Sequence, residues 1–144
     1  MIKLKGTSII EIIIATALIS VAMIAALSLM NRSQSQNNYA RNLDEANSYI
    51  TQAADWIRSQ RDSLGYATIY TLSGPSTNTY CLNTFPATIT SITLGACTDY
   101  LANIFQRNIT ITRKGTTSLL IGITVSWMEK TSRQATIEME LSQW

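Results

Sequence analysis

A single carboxylate stands in the most apolar stretch of the chain. Glu11 is flanked by Ile9, Ile10, Ile12, Ile13 and Ile14. The chemistry open to an acid that must leave water among such neighbours is pairing with a cation. Elsewhere the inventory for catalysis is thin. The chain has 144 residues and no histidine, which removes the usual general base, the histidine-activated nucleophiles and most zinc sites. Cys81 and Cys97 are too few and too widely spaced for a metal cluster. Asp44-Glu45 and the Glu138/Glu140 pair read as solvated faces, and Trp56, Trp127 and Trp144 as packing or rim aromatics. No catalytic residue, metal ligand or cofactor is expected, and the protein is not expected to be an enzyme.

The element that must hold Glu11 is the run around it. Residues 12–30 form a stretch of 19 without a charge, and as a helix they extend ~28 Å, about one hydrocarbon core. Residues 31–38 contain no apolar side chain. Lys3 and Lys5 precede the run, so the positive-inside bias leaves the N-terminus in the cytoplasm and exports the chain beyond Met30. These two lysines also account for the whole net charge of +2; without them nine basic residues face nine acidic ones. That neutrality, with no basic stripe, weighs against nucleic-acid binding. A cleaved secretory signal needs a shorter apolar core with a small-x-small site at its far end, and Ala15-Thr16-Ala17 falls too early. A plain signal anchor fits the length but gives Glu11 no purpose, because a carboxylate near the membrane centre costs roughly 2.5–3.5 kcal/mol.

Lys5-Gly6-Thr7-Ser8-Ile9-Ile10-Glu11, followed by the apolar run, resembles the class III signal of type IV pilins. The resemblance implies that a prepilin peptidase cuts between Gly6 and Thr7, that Thr7 becomes the N-methylated first residue, and that Glu11 is fifth in the mature chain. Cleavage would remove two lysines and create an α-ammonium with a reference pKa of about 7.7–8.0, and methylation keeps its charge. Glu11 then has a cationic partner. In pilins that partner is the N-terminus of a neighbouring subunit; the alternative is Thr7 of the same helix, four residues away on one face. This chain has Thr7 where many pilins begin with phenylalanine, and Ser20 and Ser28 where a glycine and a proline often loosen the helix. Those departures point to a minor subunit. The partners implied are prepilin peptidase, other pilin or pseudopilin subunits, the assembly platform and its ATPase, and membrane lipid before assembly. The implied location is the bacterial cytoplasmic membrane, single-pass with an exported head, and then a pilus or type II secretion-like pseudopilus.

The remaining chain is expected to form a head on the helix. Tyr39, Leu43, Ala46, Ile50, Ala53, Ile57 and, past Gln60, Leu64 fall on one helical stripe, and Gly65 supplies a stop. Residues 67–72 and 88–94, rich in Thr, Ile and Tyr and bounded by turns such as Gly74-Pro75 and Gly95, read as strands. Phe105, Ile109 and Ile111, then Leu119 to Trp127 at odd positions, then Ala135, Ile137, Met139 and Leu141 alternate with more polar residues. With turns at Lys114-Gly115 and residues 129–133, that is a three-stranded antiparallel meander. The predicted class is α+β, a long N-terminal helix packed on an antiparallel sheet. Its parts are a leader (1–6), a transmembrane and polymerisation helix (7–30), an amphipathic helix (31–64) and a β-rich head (65–144). Residues 53–58 and 107–144 resemble minor pilins and type II secretion minor pseudopilins. Exported domains keep disulfides, so a Cys81–Cys97 bond is expected, two free thiols being the alternative. The function expected is a structural subunit; a DNA-binding competence pilin and a membrane-anchored extracytoplasmic binding domain are the alternatives.

Overall fold

The computed structural model of the protein describes residues 9–74 and 77–143. Two compact units divide at Arg41 and Asn42. The described part of the first unit is helix throughout, the opening of α1 (Ile9–Leu64, 56 residues). Its apolar run and the polar residues 31–38 are equally helical. Thus the polar stretch, whose state the sequence left open, does not break the helix.

The second unit begins with the remainder of α1. Ala46, Ile50, Ala53, Ala54, Ile57 and Gln60 are its buried face, so the 3–4 spacing of the stripe is the spacing of burial. Tyr39 and Leu64, the two ends of the expected stripe, stay exposed. The helix stops where Gly65 takes φ +82° and its N–H donates to the Arg61 carbonyl at 2.8 Å, a backbone conformation that side-chain-bearing residues avoid. Beyond it lie α2 (Tyr66–Leu72), β1 (Asn78–Cys81), a 3₁₀ turn (Ile89–Ser91), β2 (Thr93–Leu94), β3 (Phe105–Arg113), β4 (Ser118–Met128) and β5 (Ser132–Ser142). The strands form one antiparallel sheet in the order β2-β1-β3-β4-β5. The fold is therefore α+β, with residues of α1 from 42 onward packed on the sheet. Phe105, Ile109 and Ile111 of β3 and Leu119, Ile121, Ile123, Val125 and Trp127 of β4 form its buried row. Each fully buried aliphatic side chain there stabilises the unit by about 1.5–3 kcal/mol.

Three expectations change. Residues 67–72 are not a strand: Tyr66, Ile69 and Tyr70 lie on one side of α2, and Ile69 is fully buried. Tertiary burial at helical spacing overrides the β preference of Thr, Ile and Tyr. Residues 88–94 are mostly turn, with a two-residue strand at the end. There the Ile89 N–H is taken by Gln60 Oε1 and the Ser91 N–H by the Thr88 carbonyl, which leaves little backbone for a ladder. Lastly, β5 does not share the core evenly. Leu141 is buried, but Ile137 is 46% exposed. The meander and its turn at Gly115 are as expected, and β1 is an addition to it. Pro75 and Trp144 lie outside the described residues.

Candidate functional site

The sequence singled out Gly6, Thr7 and Glu11. Gly6 and Thr7 lie outside the described residues, as do Lys3 and Lys5. Glu11 lies in α1, two residues after the first described one. It opens a surface of one chemical kind. Every described residue from 9 to 41 is exposed, including Ile9, Ile14, Leu18, Val21, Ile24, Leu27 and Met30. A soluble core helix would bury such residues. Here α1 is long and apolar enough to cross a membrane, and two hydroxyls within the run are satisfied locally. Thr16 Oγ1 donates to the Ile13 carbonyl at 2.9 Å and Ser20 Oγ to the Thr16 carbonyl at 2.8 Å. Local bonding of this kind is what a hydroxyl needs in lipid or in a helix bundle.

Cys81 and Cys97 are joined in a disulfide, their Cα atoms 4.6 Å apart. It closes a loop with a sequence separation of 16, worth about 3 kcal/mol in the chain-entropy account. The same loop is held by an arginine that the alternation pattern passed over. Arg107 stands at an inward position of β3 and is 1% exposed. Its Nε donates to the Leu82 carbonyl at 2.7 Å, Nη1 to the Tyr49 carbonyl at 3.1 Å and Nη2 to the Asn83 carbonyl at 3.3 Å. Phe85 covers the guanidinium, 4.1 Å from ring centre to Cζ, and Trp56 packs on Phe85 at 5.4 Å. Among the described residues no carboxylate pairs with Arg107. Burial pulls its pKa down to about 10, opposed by the phenol of Tyr49, so it stays charged at neutral pH. One signal could have found it: a basic residue in phase with Phe105, Ile109 and Ile111.

The acidic pairs behave as surface groups. Glu45 accepts the Tyr49 hydroxyl at 2.7 Å, and Glu140 pairs with Lys114 at 3.0 Å. Trp127 is buried, and its indole N–H donates to Glu129, which also accepts from Asn42. Trp56 is partly buried against the core. A hollow beside Tyr100, Ile104 and Met128 encloses about 70 Å³, below the size of ordinary ligand pockets. No group of three or more acidic, cysteine or histidine side chains that could hold a metal occurs among the described residues. No known protein family, curated protein or solved structure matches the chain.

Proposed function

We propose that this chain is a minor structural subunit of a type IV pilus or a type II secretion-like pseudopilus. One observation carries the reading: an exposed apolar helix, long enough to span a bilayer, with Glu11 as the carboxylate in its apolar run. The motif ending in Glu11 supplies the rest. Before assembly the helix sits in the membrane with its N-terminus in the cytoplasm, and residues 42–144 form the exported head. A prepilin peptidase cuts between Gly6 and Thr7, which removes Lys3 and Lys5. Either lysine would cost kilocalories in the apolar centre of a filament. The methylated ammonium of Thr7 then pairs with the Glu11 carboxylate of a neighbour, and this pair sets register while the apolar helices bundle. Extraction from the membrane falls to an assembly ATPase and its platform protein.

The mass of the N-terminal peptide tests the processing step. After co-expression with a prepilin peptidase, the mature chain is expected to begin at N-methylated Thr7. A chain that keeps Met1, or is cut near Ala26, would remove the basis of the proposal.

A further inference from the structure

The sheet has two unlike edges. On one side β2 is two residues long. On the other, β5 pairs with β4 through eleven consecutive residues and has no strand beyond it among the described residues. Natural sheets blunt such edges with proline, lysine, a bulge or brevity. β5 contains no proline or lysine, its charges being Arg133, Glu138 and Glu140, and its register is unbroken.

Its free backbone groups can be assigned. The Gln143 N–H donates to the Thr117 carbonyl and the Glu129 N–H to the Thr131 carbonyl. These bonds bracket the ladder and place odd-numbered residues in the bonded pairs. Antiparallel bonding alternates, so the N–H and C=O groups of Gln134, Thr136, Glu138 and Glu140 point away from β4, to the open edge.

The side chains add two requirements. On the core side, Ile137 is 46% exposed although Ile123, opposite it on β4, is fully buried. On the outer side, Glu138 lies opposite Gly122, which must stay small because a Cβ there would come within 2.5 Å of Thr110 Oγ1. Glu138 therefore meets no side chain directly across β4 and makes no ion pair among the described residues. Glu140, two residues on, holds Lys114.

We propose that residues 134–140 of β5 receive an extended segment of another polypeptide, one with a basic residue opposite Glu138 and apolar residues beside Ile137. Charge selects this occupant over a second copy. Two-fold pairing of β5 with itself gathers both copies of Glu138 and Glu140 on one face, four carboxylates against the two Lys114 side chains already engaged by Glu140. A basic strand supplies one and bonds the four outward-facing residues by strand addition.

The test titrates full-length protein in detergent micelles with a labelled short peptide alternating valine and lysine, and with its counterpart in which glutamate replaces lysine. Saturable binding of the lysine peptide is expected, with slowed amide exchange confined to residues 134–140. Glu138→Lys should weaken that binding by about fivefold and shift preference to the glutamate peptide. Thr136→Pro should abolish binding, since it removes an outward N–H and no main-chain bond to β4, only the 3.0 Å hydroxyl contact with Thr124; unchanged exchange in β4 shows that the sheet persists. Indifference to both substitutions, protection elsewhere, or an edge protected only in a β5-to-β5 dimer would overturn the proposal.

Discussion

The guanidinium of Arg107 donates to the main-chain carbonyl of Tyr49, 58 residues earlier, at 3.1 Å. One side chain thus ties β3 to α1, while its other nitrogens hold the Leu82 and Asn83 carbonyls of the disulfide loop. Replacing it with an apolar chain of similar length relieves a buried charge but takes the side-chain donor from the Leu82 and Asn83 carbonyls, while the Tyr49 carbonyl keeps its place in the helix ladder. Orphaned acceptors dominate, so Arg107→Met is expected to destabilise the head by on the order of 2–3 kcal/mol. Urea unfolding of the full chain in micelles, followed by tryptophan fluorescence, measures it. A stabilised variant would show instead that desolvation of the charge outweighs its bonds.

The disulfide closes the loop that Arg107 grips beside Cys81. The double substitution Cys81→Ser, Cys97→Ser should lower stability by about 3 kcal/mol. It should leave N-terminal processing unchanged, because neither cysteine lies in the apolar helix. Denaturant midpoints and the mass of the mature N-terminus read the two effects separately. A loss of processing would link the head to a step that the proposal gives to residues 6 and 7 alone.

Glu140 carries the acid-side dependence. The hydrogen bond and charge of Lys114, with the nearby Ser118 hydroxyl, hold its carboxyl below the ordinary value. As pH falls, the unfolded chain takes up this proton first. The contribution to stability is therefore whole at neutral pH, fades below about pH 4.3, and is gone below the folded value. The group is exposed, so the effect is small and salt-sensitive. Lys114→Ala should return the Glu140 titration, followed by carboxyl-carbon NMR, toward the ordinary range; an unmoved midpoint contradicts the assignment.

Long periodic elements were legible in the sequence, and short ones were not. The stripe from Ala46 to Ile57 and the alternation through β3 and β4 repeat often enough for the period to be unambiguous. Residues 67–72 offered one turn of pattern, too little to separate a helix from a strand, and burial of Ile69 decided it. Gln60 looked like a gap in the stripe. It is buried there because its amide serves the backbone of Ile89 at 2.8 Å, a contact across 29 residues that no local pattern encodes. Exposure of Ile137 escaped notice for a related reason: alternation tells which face a residue takes, and not whether the helix reaches far enough to cover it. Glu11 was conspicuous as a charge in an apolar run, and its helical state follows from that run.

The central claim is that Glu11 serves polymerisation. If Glu11 served only a membrane anchor, Glu11→Ala would be neutral or favourable, since it removes a costly carboxylate from an apolar run. If it pairs with the N-terminus of a neighbour, the same change leaves that ammonium unpaired on assembly, and breaking a buried pair from one side costs about 3–5 kcal/mol. The decisive measurement compares sheared-filament and membrane fractions of wild type and Glu11→Ala, following this chain itself and normalising to processed protein. The variant is expected to be inserted and cleaved normally but largely retained in the membrane. Equal incorporation into filaments would contradict the claim.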